Sequence, residues 1–372
     1  MKKLFILALV AFPFSVFSFQ LKAETIPATD ERIVFVGRAL ENDGSLSFDF
    51  PATYFRVAFT GKTLSVRLSD TNHNYYGVWV DAPTSAEPTR IVELKGNDTI
   101  VELVLAEDLK KSKQKVHEVV IQKRTEAGCG TTTVHEFITD GTFLPATPLK
   151  ERQIEFIGDS YTCGYGVDAP SRWDRFADDT ENASRTYASI VARYFDADYM
   201  AIAHSGRGIC RNSGSKFPWE LMSDIYQFTL DRDSTTRWSV GQSPFRPDIT
   251  VIYLGANDFS GWMMPDINKF RRHYHQLLSL VKANYGDDHP VLCMTPGPYE
   301  YLFTYVRDVV NNCGMSNVYF LGHCPTIHNN STDEDLGAGW HPNYQGQRKI
   351  AHALVPYLAT ITGWGLQDNP VK

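Results

Sequence analysis

The sequence predicts two domains of different class: an all-β antiparallel sandwich of jelly-roll type over residues 28–146, then an α/β domain with a mostly parallel sheet over 150–366. Three observations carry this. From about Ile33 to Ile138 the chain consists of short β-prone runs, several alternating apolar with polar residues and divided by Gly, Asn or Asp. From Gln153 the rhythm changes to short apolar strands alternating with amphipathic helical patterns, the signature of a parallel sheet covered on both faces. Between the two lies Pro145-Ala-Thr-Pro148, where the prolines break pairing and stiffen the chain into a linker. At 372 residues there is enough chain for two cores.

Taken in order, Lys2 and Lys3 precede an apolar run from Leu4 to Phe19 that is too short and too closely followed by polar sequence to span a membrane. It is expected to be an export signal occupying residues 1–23, cut after Ser18 or Ala23, which makes the mature protein secreted or periplasmic with no membrane insertion. A net charge of -7 without a basic run argues against a nucleic-acid partner. All 6 cysteines lie beyond the signal and none forms a Cys-x-x-Cys pair, so a structural zinc site is not expected.

The sandwich strands are expected around Ile33, Ser45, Tyr54, Leu64, Tyr76, Ile91, Ile100 and Val116, with at most one helical turn between Glu107 and Lys115. In the second domain, strands are expected at 154–157, 199–203, 249–254, 291–294 and 318–321, and helices at 187–195, 267–285, 302–310 and 344–361.

Four places in this domain fall at strand ends, where α/β sheets hold their chemistry. The apolar run Ile154 to Ile157 stops at Gly158-Asp159-Ser160, which presents Ser160 as a nucleophile in need of a base. Ser205-Gly206-Arg-Gly208 follows the next strand, and Gly206 would let a backbone N–H approach a reacting carbonyl. Gly255-Ala-Asn257-Asp258 offers the Asn257 amide as a second oxyanion donor. Last, Gly339-Trp340-His341-Pro342 precedes the final helix, with His341 as the base. Together these are the parts of an acyl-transfer site, and such chemistry needs no metal or organic cofactor.

Gly158-Asp159-Ser160, Gly206, Gly255-x-Asn257-Asp258 and His341-Pro342 resemble, in order, the four blocks of the SGNH hydrolases, the Gly-Asp-Ser-Leu esterase superfamily, over roughly residues 153 to 365. With a sandwich placed ahead of that flavodoxin-like domain, the whole mature chain is similar to carbohydrate esterase family 2. The resemblance implies a secreted acetyl xylan esterase or related deacetylase that removes O-acetyl groups from plant cell-wall polysaccharide; separately, the protein is expected to be a monomer. It also implies that Trp340 stacks on the sugar; Trp262 and Asp159 are placed with it as substrate-binding, and Trp219 and Tyr299 could add further platforms. A lipase or lysophospholipase on the same fold, and an inactive sugar-binding protein, are the alternatives. One departure stands out: three residues before His341, where the superfamily usually has Asp, this chain has Ala338. The resemblance implies a Ser–His dyad steadied by a backbone carbonyl, with Asp335 and Asp333 as candidates for a relocated acid.

Overall fold

The computed structural model describes residues 23–110, 112–214, 220–295, 300–322 and 334–371. Residues 1–22 of the expected export signal, Trp219, Tyr299 and Asp333 lie outside these residues.

The first domain consists of two six-stranded antiparallel sheets. Strand Leu64–Asp70 shows why they stack: Leu64, Val66 and Leu68 point inward while Ser65, Arg67 and Ser69 alternate outward, as the period of two requires. These residues join Phe48, Phe55, Phe59 and Phe137 in one core. Residues 106–110, in the stretch where at most one helical turn was expected, form consecutive turns, with Asp108 N–H donating to the Leu105 carbonyl and Asp108 Oδ2 accepting Leu105 N–H.

The second domain has a five-stranded parallel sheet in the order Ala197–Ala203, Arg152–Gly158, Ile249–Tyr253, Val291–Met294, Val318–Leu321. The order reverses direction at Arg152–Gly158, which makes the carboxyl end of that strand the switch point where α/β sheets open a crevice. Helices Tyr187–Tyr194, Ile267–Tyr285, Glu300–Asn312 and Tyr344–Thr362 cover the sheet. The first and last meet where Gln347 Oε1 accepts the Tyr187 N–H at 2.9 Å.

The two domains share buried structure. Strand Tyr54–Phe59 of the sandwich is buried on both faces, because its outer residues dock on the edge strand Ala197–Ala203. Arg56 forms an ion pair with Asp198 at 2.6 Å, and Gln122 donates to the Tyr199 hydroxyl at 3.0 Å. Val36, Phe50, Ala52 and Tyr54 from the sandwich belong to the core of the α/β domain. Arg38, 1% exposed, reaches across to Glu155 at 3.5 Å and lies over the Trp238 ring. Docking of this kind blunts a sheet edge that would otherwise be open to aggregation.

Candidate active site

Strand Arg152–Gly158 ends at Gly158, and Asp159 caps one helical turn, Ser160–Cys163. No side chain fits at Gly158, since a Cβ there would lie 2.0 Å from the Thr162 hydroxyl. The sharp strand-to-helix turn lifts Ser160 to the sheet edge, where it is 7% exposed.

His341 arrives from the other end of the chain. The pair of short strands Leu336–Gly337 and His341–Pro342 brings it back against the first turn, and Asn343 caps the last helix by accepting the N–H groups of Gln345 and Gly346. Its Nε2 meets Ser160 Oγ at 2.8 Å. Between the two short strands the backbone curls tightly: Gly339 has φ +59° and Trp340, a side chain that rarely adopts such a conformation, +65°. This turns the carbonyls of Ala338 and Gly339 onto His341 Nδ1, at 3.2 and 3.1 Å. A proton on Nδ1 therefore has two acceptors, and Nε2 is left with its lone pair toward Ser160. The Tyr165 ring lies 4.2 Å from the imidazole between centroids, tilted by 30°, and Tyr161 meets the imidazole edge-on at 5.5 Å. This burial pushes the His341 pKa down to about 4, with the two carbonyls pulling the other way. The His341 imidazole is thus neutral at physiological pH.

Asp335 does not meet the imidazole, which corrects its candidacy as a relocated acid. It is 2% exposed, and its carboxylate is engaged by the Lys349 ammonium. The reason is local: the Leu336–Gly337 strand carries Asp335 toward the last helix, and Asn343 N–H donates to its carbonyl.

The loop after strand Ala197–Ala203 runs beside Ser160. Gly206 takes φ +80°, and its N–H has no hydrogen-bond partner among the described residues. Asn257 donates its amide to the Arg207 carbonyl at 2.8 Å and to Asp159 Oδ2 at 3.1 Å, so it ties this loop to the nucleophile turn. Asp258 braces the same loop from beneath, its carboxylate accepting the N–H groups of Ile209, Cys210 and Arg211. Asp159 is 3% exposed and supports the nucleophile turn by accepting the Tyr161 N–H. Expected among the substrate-binding residues, Asp159 here has its carboxylate engaged by the Tyr161 N–H and the Asn257 amide, and burial pushes its pKa up to about 7.

Trp340 is exposed beside His341 and packs edge-on against Trp173, itself 70% exposed, at 4.9 Å. Arg172 lies over the Trp340 ring at 4.6 Å, and Gly339 N–H donates to the Asp174 carbonyl at 3.0 Å, which joins the two loops. Nothing in the sequence singles out Trp173, Tyr161 and Tyr165, because they stand in loops or a single helical turn, too short for a period to mark which way they face. Trp262 ends the segment Ala256–Trp262, whose first turn carries Asn257 and which kinks at Ser260 and Gly261 before reaching it. Among the described residues, Glu126, Cys163 and Glu181 are the group whose donor atoms come within 4.8 Å of one another, as metal ligands would. Burial and the neighbouring Glu126 charge push the Glu181 carboxyl well above the ordinary range.

Fold and site together define a class: a β-sandwich leading an α/β domain that holds a serine and a histidine at hydrogen-bond distance where the strand order reverses. Residues 35–148 match the carbohydrate esterase 2 N-terminal domain, and residues 156–349 match the GDSL-like lipase/acylhydrolase family. The solved structure of a family two carbohydrate esterase from Clostridium thermocellum, in complex with cellohexaose, is similar with a TM-score of 0.80 and 31% identity, covering 89% of this chain and 99% of that one. This chain belongs to carbohydrate esterase family 2. It is 34% identical over 316 residues to the cellulase/esterase CelE of Acetivibrio thermocellus, covering 82% of this chain but 36% of that protein's length. It is 28% identical over 357 residues to an acetylxylan esterase/glucomannan deacetylase of Cellvibrio japonicus, covering 91% of this chain and 92% of that protein.

Proposed function

We propose that this protein is an exported carbohydrate O-acetyl esterase that removes acetyl groups from xylan- or glucomannan-type polysaccharide through an acyl-enzyme on Ser160. The observation that carries this is the contact of Ser160 Oγ with His341 Nε2 at 2.8 Å, with Nδ1 held by two carbonyls. His341 takes the hydroxyl proton as Oγ attacks the acetyl carbonyl carbon. The oxyanion receives the Gly206 N–H, and the Asn257 amide joins it by exchanging one of its two bonds within the protein. Collapse returns the proton from Nε2 to the departing sugar oxygen. Water then repeats the sequence on the acyl-enzyme, releasing acetate and restoring Ser160.

Trp340 and Trp173 provide flat apolar faces beside the nucleophile, suited to stacking on a pyranose. The relatives support the substrate class, being named as acetylxylan esterase/glucomannan deacetylase or solved with a cello-oligosaccharide. Export rests on the basic, apolar character of residues 1–23. No helix among the described residues is long and apolar enough to cross a membrane.

The test is acetate release from acetylated xylan, glucomannan and cello-oligosaccharides, with 4-nitrophenyl acetate and octanoate as simple esters. Acetate release from the polysaccharides together with preference for the acetyl ester is expected. Preference for octanoate would move the assignment to a lipase, and polysaccharide binding without any ester turnover would make the protein a sugar-binding one.

A further inference from the structure

The sandwich domain reaches into the site of its neighbour through one carboxylate. Glu126 follows strand His117–Lys123 and is 6% exposed. Its backbone is anchored at both polar groups: the N–H donates to Glu181 Oε2 at 2.9 Å, and the carbonyl accepts from the buried Lys123 ammonium at 3.1 Å. The side chain then crosses the domain boundary, and a single oxygen, Oε2, accepts twice. It takes the Ser205 N–H at 2.6 Å and the Cys163 thiol at 3.4 Å. Ser205 immediately precedes Gly206, and Cys163 closes the helical turn that Ser160 opens.

From this we infer that Glu126 is a positioning residue for acyl transfer, lent by the sandwich domain, whose Oε2 sets the spacing between the Gly206 loop and the Ser160 turn. The inference rests on the proposed roles of Ser160 and Gly206. An oxyanion donor acts only if it is already in place when charge develops, and a displacement of about 1 Å can cost ~10²-fold in rate. The Gly206 loop leaves its strand with a left-handed residue, so it has little intrinsic stiffness at that point. Asp258 and Asn257 hold its far side, and Glu126 holds its near side. The Ser205 N–H···Oε2 bond, at 2.6 Å, is the tie on that near side.

Domain docking does not depend on Glu126. Arg56 with Asp198, Arg38 with Glu155, and Asp49 accepting the Asp231 N–H all hold the same boundary. Besides its contacts, the Glu126 charge favours the imidazolium of His341, after the two carbonyls. Bond and charge are separable by substitution, because Gln keeps an acceptor of the same reach and loses the charge.

The experiment uses the full chain with an acetyl ester, and active sites are counted by endpoint labelling of Ser160 with a fluorophosphonate. Ser160→Ala is assayed first: if it retains turnover, the functional reading fails independently of Glu126. Given a dead Ser160→Ala, Glu126→Ala is expected to lose about 10- to 100-fold in kcat per labelled site with KM changed less than about twofold, while Glu126→Gln stays within about threefold of the parent. Unchanged kcat per site in Glu126→Ala would overturn the inference, as would a loss fully accounted for by fewer labelled sites. Equal losses in the Ala and Gln variants would also overturn it, assigning Glu126 an effect through charge instead. Should the Ala variant not fold, Glu126→Asp carries the test, since its carboxylate stops one methylene short of Ser205; kcat per site equal to the parent would then refute the positioning role.

Discussion

His341 points Nδ1 at the carbonyl of Ala338, 3.2 Å away, so the residue standing in place of an expected triad acid acts through its main chain. Its side chain faces elsewhere. A Cβ built on Gly166 would lie 2.4 Å from that of Ala338, which is wholly buried against it. Ala338→Asp is therefore expected to bury a carboxylate against backbone, costing roughly 2–4 kcal/mol of stability with no gain in kcat. Urea unfolding and esterase assays on the same preparation check this; an unchanged midpoint with faster turnover would refute it.

The low pKa of His341 gives the pH profile a definite shape. With its ring pushed to about 4 from an ordinary 6.5, chiefly by burial, the base stays neutral far into acid. The acid limb of kcat/KM for 4-nitrophenyl acetate should fall near pH 4 to 5, and a limb centred at 6.5 would contradict the burial argument. The stability contribution follows in sign. Between about 4 and 6.5 the unfolded chain binds the proton and the folded one does not, so the contribution is full above 6.5 and lost as pH falls toward 4. The stability difference between the parent and His341→Gln should therefore rise across that window and level off above it.

Asn257 is bonded to both the Arg207 carbonyl and Asp159. Truncation to Ala removes the proposed oxyanion donor and the tie between two loops at once. We expect kcat to drop ~10²- to 10³-fold, with KM for the simple ester nearly unchanged. Steady-state kinetics on the acetyl ester suffice, and a change confined to KM would relocate Asn257 to substrate binding.

The exposed pair Trp173 and Trp340 makes a prediction that separates sugar from acyl group. Replacing either by Ala should raise KM for acetylated oligosaccharide by about 5- to 15-fold, the equivalent of ~1–1.5 kcal/mol for one aromatic platform. Turnover of 4-nitrophenyl acetate should stay within about twofold for Trp173→Ala, which does not adjoin the base. Equal effects on both substrates would mean that Trp173 serves only to pack the loop.

Arg38 tests whether the domains stand or fall together. It pairs with Glu155 under full burial and donates to the Tyr226 and Phe228 carbonyls. Arg38→Met leaves Glu155 as an unpaired buried charge, a change that typically costs ~3–5 kcal/mol. A single, earlier unfolding transition is expected by calorimetry, whereas an unshifted one would show the pair to be dispensable.

Much of this protein is written locally. Leu64–Asp70 declares its inner face by alternation, helix Ile267–Tyr285 occupies the range its periodicity predicts, and the stop at Gly158-Asp159-Ser160 marks a strand delivering a hydroxyl. Such features depend on neighbours a few residues away, so the sequence alone determines them. The pairing of Ser160 with His341 joins residues 181 apart, and their places at strand ends together with the resemblance of the four blocks suggested it. What orients His341 was settled by tertiary structure, since positive φ at Gly339 and Trp340 decides which carbonyls reach Nδ1 and leaves Asp335 to Lys349. The link from Glu126 to Ser205 spans 79 residues and two domains. No local pattern encodes it, because a buried carboxylate finds its partners only once both cores have formed and docked.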